Sequence, residues 1–446
     1  MIKNLLFEIG TEELPSSCII EGITNIGNLL SEGLTKNNIK FRKIDTFATP
    51  RRIVAYVEDI SDMQNRVEKT ILGPPKKISF NQDGKPTQAA SGFAKSLGIK
   101  VEELIDIETE KGIYLGYKYF EEPKNTIDLL PGILKQTVLD MNFSKQMSWG
   151  NYSIKFARPI RWIAALYSDT VVEFSIENIF ASNKTYTIRS EGNNPITIPA
   201  LINSNSYLKF LEKEAKVLLD PLQRKQKILK KIEEIEKKDW KGNFKTVIDD
   251  ELLREVVNLV ENPNVLVGTF PDEYLYIPKE ILIKAIQHHQ RYFAVLDLNK
   301  NITTKFITIQ NGVADLTGAI VKGNERVLRA RLSDAKFFYE EDKKNNFENW
   351  FEKLKGVVFY SGLGTLYDKA LRLEKICFNL KESLETSGYN FENKELKSYL
   401  KRAARFCKCD LVTNMVVEFP ELQGLVGKEY AIEKGENSEV ASAIFE

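Results

Sequence analysis

The sequence predicts a multidomain α+β protein followed by an all-α region, and three observations carry that expectation. The chain has 446 residues, more than one ordinary hydrophobic core holds, so roughly two to four domains are expected. Up to Asp342, β-patterned runs alternate with amphipathic helical ones, the pattern of sheets with helices packed on them. Beyond Asp342 only helical periodicity remains. The divisions expected are an N-terminal α/β domain over 1–150 with an inserted segment around 70–120, a central α/β module over 151–342 and a helical domain over 343–446.

In chain order, Asn4 to Ile9 reads as a strand entering Gly10-Thr-Glu-Glu-Leu-Pro15, where Thr11 is placed to cap a short helix. Glu12 and Glu13 in that mouth suit a cation, an amine or a partner arginine, or serve as helix-start charge. Ile19 to Leu34 is an amphipathic helix. A turn then sets Arg51 and Arg52 at the start of a strand, Ile53 to Val57. Paired arginines there suit phosphate or carboxylate binding, and ordinary surface arginines fit equally. Gly73 to Pro75 is a stiff linker, Asp83-Gly84 a turn, and Thr87 to Gly98 a small capped helix. Arg158 and Arg161 flank Trp162, an arrangement that stacks bases or packs an arginine on an indole.

Tyr207 to Lys237 reads as a long charged helix that Asp220-Pro221 bends or divides. A helix from Leu252 stops at Pro263, with Glu261 as a solvent charge of its last turn or a site residue, and a strand follows over Val265 to Val267. The helix from Ile281 ends in His289-Gln290-Arg291-Tyr292-Phe293, a mixture of donors, cation and aromatics that suits nucleic-acid contact; a hydrogen-bonded core histidine is the rival. From Gly323 to Asp342 the period is helical. At about 100° per residue, Lys322, Arg326, Arg329, Ser333 and Lys336 share one face, and Val327, Leu328, Leu332, Ala335 and Phe338 the other. That basic face is a solvated stripe or a surface for phosphates. Arg331 interrupts the apolar face, so an interior carboxylate is expected beside it. Later helices are expected from the Ser361-to-Arg372 glycine turn onward and over Ser398 to Val417.

Bulk composition narrows the chemistry. Lys plus Arg number 63 against 62 acidic residues, a formal net charge of +1, which excludes a bulk polycation and leaves only local patches for nucleic acid. Four scattered cysteines indicate no disulfide framework, and a reducing cytoplasm is the expected compartment. The opening Met1 to Gly10 is too short and too soon interrupted by Glu8 for a signal peptide, and no apolar run approaches a membrane span. The only two histidines, His288 and His289, are adjacent, which leaves almost nothing for a zinc site or a histidine-based triad. No phosphate-cradling Gly loop with its Lys-Ser/Thr appears, and no nucleophile–base pair can be assembled, so no catalytic residue is assigned.

Several ordered phrases carry a family resemblance. Leu5-Leu-Phe-Glu-Ile-Gly-Thr-Glu-Glu-Leu-Pro15 and Ala48-Thr-Pro-Arg-Arg52 closely resemble the N-terminal region of bacterial glycyl-tRNA synthetase β subunits. Gly73-Pro-Pro75, Asp83 to Gly98, Phe156-Ala-Arg-Pro-Ile-Arg-Trp162 and Leu252 to Asp342 continue the match in order. Two places depart: Met147-Ser-Trp149 stands where the family has Met-Arg-Trp, and Ile188-Arg-Ser-Glu-Gly192 where it has Gly-His-Arg. Roles tied to the replaced side chains are not carried over.

The resemblance implies a β subunit of a heterotetrameric (α2β2) glycine–tRNA ligase that binds and positions tRNA(Gly). The α subunit would hold the class II active site with its ATP and Mg, and this chain would bind no cofactor or metal. It also implies modules similar to the phenylalanine-system β subunit and a final HD-like helical domain. Lys408-Cys-Asp410 holds that domain's only plausible metal-binding aspartate, with no histidine after His289, so a scaffold is expected. Family members continue past this helical pattern, so the chain is expected to be C-terminally truncated, without the anticodon-binding domain. Arg51, Arg52, Arg158, Arg161, His289, Gln290, Arg291, Tyr292, Lys322, Arg326, Arg329 and Lys336 are the candidate contacts to tRNA or the α subunit. A tRNA-free assembly scaffold and a trans-editing hydrolase are the rival functions.

Overall fold

The computed structural model describes residues 3–66, 68–81, 84–200 and 203–446, without the side chain of His289. The turn expected at Asp83 therefore lies partly outside the described residues. The chain divides into two compact units, Met1–Pro221 and Leu222–Glu446.

In the first unit, β1 (Lys3–Thr11) is central. Thr11 is its last residue, so it starts no helix, and α1 (Ser16–Lys36) begins directly after Pro15 without a side-chain cap. Next come β2 (Lys43–Thr49) and β3 (Arg52–Ile60). The segment around 70–120 then forms a separate three-stranded sheet. It contains β4 (Glu68–Pro75), α2 (Lys76–Ser79), α3 (Gln88–Leu97), β5 (Ile105–Thr109) and β6 (Gly112–Phe120). Gly98 ends α3 in the left-handed region (φ 72°), where glycine carries no Cβ penalty. The Thr87 hydroxyl donates to the Ile78 carbonyl and does not cap the helix.

The main sheet resumes after α4 (Thr126–Asp140) with β7 (Ile160–Tyr167). Short strands follow: β8 (Thr170–Val171), β9 (Ser175–Ile176), β10 (Ile179–Ser182), β11 (Lys184–Tyr186) and β12 (Pro195–Thr197). Its order is β2-β3-β1-β7-β10-β9, with β8 paired to β7. β1 lies antiparallel between β3 and β7. The boundary expected at residue 150 is corrected by this pairing, because β7 completes the sheet that β1 begins.

Alternation along β1 serves two cores. Leu5, Phe7 and Ile9 pack with α1 and α4, whereas Leu6 joins Val54, Tyr56, Leu166 and Tyr207 on the opposite face. Burial on both faces explains the nearly continuous apolar run. The expected long helix over 207–237 is two pieces. After α5 (Ser204–Phe210) a π-turn ends at Lys216 in the left-handed region. Pro221 then opens α6 (Pro221–Glu234), the position where its missing N–H costs nothing.

The second unit continues from α6 with β13 (Phe244–Thr246), α7 (Asp250–Leu259), β14 (Pro263–Thr269), α8 (Lys279–Gln290), β15 (Phe293–Asp297) and β16 (Ile302–Asn311). These strands form an antiparallel sheet in the order β13-β15-β16-β14. Ile228, Ile232, Val256 and Val257 cover one face, on Phe293, Val295 and Ile307. Glu261 is fully buried and is not a solvent charge.

Against the other face lies α9 (Ala319–Lys343), followed by α10 (Phe347–Lys353), a hairpin of β17 (Val358–Tyr360) and β18 (Gly364–Thr365), and α11 (Leu366–Thr386). The chain then forms α12 (Leu396–Phe406), α13 (Asn414–Glu418), α14 (Leu425–Glu433) and α15 (Ser438–Phe445). The single helix expected over 398–417 is thus broken, with Thr413 capping α13 through its side chain.

One core runs from Phe270 through Leu328, Leu332 and Trp350 to Ile444. Asp342 ties it together, accepting from the Asn414 and Met415 backbone N–H groups at 2.9 and 2.8 Å and from the Tyr430 hydroxyl at 3.2 Å. The boundary expected at 342 is corrected accordingly.

Asp410 shows what burial does to a carboxylate in this core. One oxygen accepts the Gly424 N–H at 2.5 Å, and the other is buried without a hydrogen-bond partner among the described residues. Burial pushes its pKa up, against the lowering effect of the Gly424 N–H. The folded protein therefore holds this proton over a pH range in which the unfolded chain has lost it. That stabilising contribution is complete below the ordinary aspartate value and disappears as pH rises through the folded one. Asp410→Asn keeps an acceptor for Gly424 and removes the buried charge. It is expected to add roughly 1 kcal/mol of local stability at neutral pH and nothing near pH ~3. Hydrogen exchange at the α14 amides measures this, and an equal effect at both pH values would contradict it.

Candidate nucleic-acid interface

Three exposed cations of the second unit, Lys322, Arg326 and Arg329, line one pocket on the first half of α9. Its start is well specified. Gly318 takes the left-handed conformation (φ 68°), and Asp315 Oδ2 accepts the Ile320 and Val321 N–H groups at 2.9 and 3.2 Å. Leu328, Leu332, Ala335 and Tyr339 form the buried stripe. Val327, expected inside, is exposed, because the buried stripe passes through Tyr339 and Asp342 instead.

On the outer face Lys322, Arg326 and Arg329, spaced i, i+4, i+7, line an open pocket of about 370 Å³ with Thr269, Phe270, Pro271 and Glu325. Glu325 Oε1 accepts both the backbone N–H and the hydroxyl of Thr269, at 2.9 and 3.1 Å, so its charge is directed to the end of β14. Lys322, Arg326 and Arg329 have no carboxylate partner among the described residues. Three cations in one concavity with a single, already engaged carboxylate favour an anion with several oxygens.

Lys336, on the same helix face, is set apart: its Nζ lies 2.7 Å from Glu273 Oε2 and 5.8 Å from the centre of the Tyr276 ring. Arg331 holds no interior carboxylate. It is half-exposed and sits 3.8 Å from Glu418, itself half-exposed.

The cluster expected at the end of α8 does not form one surface. Tyr292 is buried, stacked on Phe306 at 4.9 Å with its hydroxyl donating to Asn324, and burial pushes its pKa up to about 12. Arg291 turns the chain at φ 56° and donates to Glu255 at 2.7 Å. Gln290 is half-buried, and the His289 side chain lies outside the described residues.

The arginines of the first unit separate by depth. Arg52 is fully buried and Arg51 nearly so, which corrects the expectation of tRNA or α-subunit contact at these positions; of the phosphate or carboxylate expected beside the pair, Arg52 holds a carboxylate. Glu8 is the reason. Its carboxylate is buried between β3 and β7, accepting from Trp162 Nε1 at 2.7 Å, from the Thr185 hydroxyl and from the Tyr207 hydroxyl. Arg52 supplies the countercharge at 3.9 Å and donates to Thr185 and the Tyr186 carbonyl at 3.0 and 3.1 Å. Arg51 and Arg52 also lie 5.6 and 5.5 Å from the ring of Trp162, which is buried, so the indole packs against arginine. Gly10 makes room for it: a Cβ there would stand 1.9 Å from the indole.

At the surface, Glu12 meets Arg161 at 3.1 Å and Arg189 at 2.6 Å, and Arg189 also reaches Glu13 at 2.6 Å. The carboxylate pair is therefore a docking point for arginines of its own chain. Nothing in the local spacing around Arg189 announced this partnership. Arg158 is half-buried and donates to the Ala157 carbonyl.

Comparison with known proteins places the chain in a family. The chain belongs to the glycyl-tRNA synthetase beta subunit family, whose model matches residues 5–446. Its relatives include proteins named glycine–tRNA ligase beta subunit from Clostridioides difficile (strain 630), 43% identical over 446 residues, and Geobacter sp. (strain M21), 40% identical over 446 residues. A third, from Moorella thermoacetica, is 39% identical over 444 residues. All of this chain is covered in each case, and it spans 63%, 63% and 62% of those relatives' lengths respectively.

Proposed function

We propose that this chain serves glycyl-tRNA synthesis as the tRNA-recognising part of a glycine–tRNA ligase, beside an α subunit that makes glycyl-adenylate from ATP and Mg. Family membership over nearly the whole chain carries this reading. The open trio Lys322, Arg326 and Arg329 supports it, since phosphate contacts from clustered cations position an RNA without reading its sequence. In this reading the chain holds no catalytic residue, cofactor or metal, and it works in the cytoplasm within an α2β2 assembly. Among the described residues, no helix is long and apolar enough to cross a membrane. The helices after Lys343 act as an HD-like scaffold: Asp410 uses its carboxylate on the Gly424 N–H inside the core.

The direct test is glycine charging of bacterial tRNA by purified α subunit, with and without this chain. Restored charging is the expected result. Binding to the α subunit with no gain in charging and no affinity for tRNA would replace this reading by an assembly scaffold.

A further inference from the structure

The second unit presents a small, firmly held platform that the α9 surface does not use. In the β17–β18 hairpin, Val358 is 73% exposed, Tyr360 66% and Leu363 52%, a costly display for a three-residue strand. The hairpin is nevertheless tightly fastened. Leu363 N–H donates to the Tyr360 carbonyl at 3.0 Å, Leu366 N–H to the Val357 carbonyl at 2.8 Å, and Arg372 Nη1 to the Leu363 carbonyl at 2.9 Å. Asp368 Oδ2 accepts the Thr365 N–H at 2.8 Å and its hydroxyl at 2.9 Å, closing a capping box that joins the hairpin to α11. Gly364 must be glycine (φ 79°), because a Cβ there would stand 2.4 Å from that carboxylate oxygen. The apolar side chains are thus displayed from a rigid support.

Charge decides what fits it. Over 353–375 there are five cations against two carboxylates. Asp368 is held by the cap and Glu374 by Arg405 at 2.6 Å, while Lys355 turns to Glu352. Lys353, Lys369, Arg372 and Lys375 keep no carboxylate partner among the described residues. Lys369 Nζ lies 3.9 Å from the centre of the Phe359 ring. Successive strand residues face opposite ways, so Tyr360 shares its face with Val358, and Phe359 lies on the other with Lys369. An exposed tyrosine amid positive charge makes a surface for flat, negatively linked ligands.

We propose that the Tyr360 face of the β17–β18 hairpin is a stacking platform for unpaired bases of RNA, separate from the phosphate-facing start of α9. The identity of the polyanion rests on the tRNA reading above; the platform itself rests on the hairpin's geometry and charge. Recognition here is by stacking, tolerant of sequence and selective for single strands over duplex.

The test measures binding of an unstructured RNA oligonucleotide of about ten nucleotides, a blunt RNA duplex of equal length and bacterial tRNA to the 446-residue chain. Tyr360→Ala is expected to weaken oligonucleotide binding at least about tenfold and leave duplex binding unchanged, while Tyr360→Trp retains it. Equal oligonucleotide affinity in wild type and Tyr360→Ala overturns the platform, as does a loss confined to α-subunit binding, which would make the hairpin a protein contact. If the wild type binds neither tRNA nor oligonucleotide at low salt, the tRNA reading falls and the platform with it. If both RNAs bind wild type and variant alike, the platform alone falls.

Discussion

Replacing Arg52 by alanine is expected to destabilise the first unit by about 3–5 kcal/mol, since it removes the countercharge of a buried carboxylate. Glu8 cannot turn to water: it is fully buried, with Leu6 on the same side of β1 packed among Val54, Tyr56 and Leu166. Trp162, Thr185 and Tyr207 would still donate to it, but three neutral donors do not replace a guanidinium. The change also leaves Thr185 and the Tyr186 carbonyl without the Arg52 N–H groups and the indole without one of its two cations. Burial, followed by the Glu8 charge, pushes the Tyr207 ionisation well above its ordinary range, so this hydroxyl stays a donor across the accessible pH range. Denaturant unfolding of the first unit reads the effect. A loss below about 1 kcal/mol would mean that Arg52 is a peripheral ion pair after all.

Reversing charge at Arg326 and Arg329 together should do the opposite: little to stability and much to binding. Both side chains are exposed on the outer face of α9, where substitutions typically stay within about 0.5 kcal/mol of neutral. Affinity for tRNA is expected to fall at least about tenfold. The salt dependence of binding should flatten by about one unit of log–log slope for each phosphate that is no longer neutralised. Lys336→Ala is the internal control. Its ammonium is engaged by Glu273, so its removal should change the slope little. An unchanged slope in the Arg326→Glu, Arg329→Glu protein would remove the phosphate assignment from α9.

Much of the secondary structure is legible in the sequence because it follows from local periods. The run Leu5 to Ile9 is a strand, and the basic positions 322, 326 and 329 do share a helix face, because a 3.6-residue turn settles that wherever the helix lies. Local reading leaves alternatives open, or fails, where two patterns compete. Pro221 suits a kink in one long helix equally well, and it is the first residue of a new one. Val327 has the spacing of an inward position and lies outside, because the buried stripe is set by what α9 packs against.

By itself the sequence determined the family, through ordered phrases that no rearrangement of the fold can alter, and it determined which residues lie side by side on each element. Only the tertiary structure decided which of those residues meet water. Arg51, Arg52 and Tyr292 read from the sequence as candidate contacts just as Arg326 and Arg329 do, yet the first three are buried and the last two are exposed. The physical reason is separation along the chain. Arg52 is held down by a carboxylate on β1 and by Thr185 on β11, and Tyr292 by Asn324 on α9. The cost of leaving an arginine or a hydroxyl unpaired in a core is set by partners that no short window contains. Domain division follows the same rule, since the hydrogen bonds that join β7 to β1 cross more than a hundred residues of intervening chain.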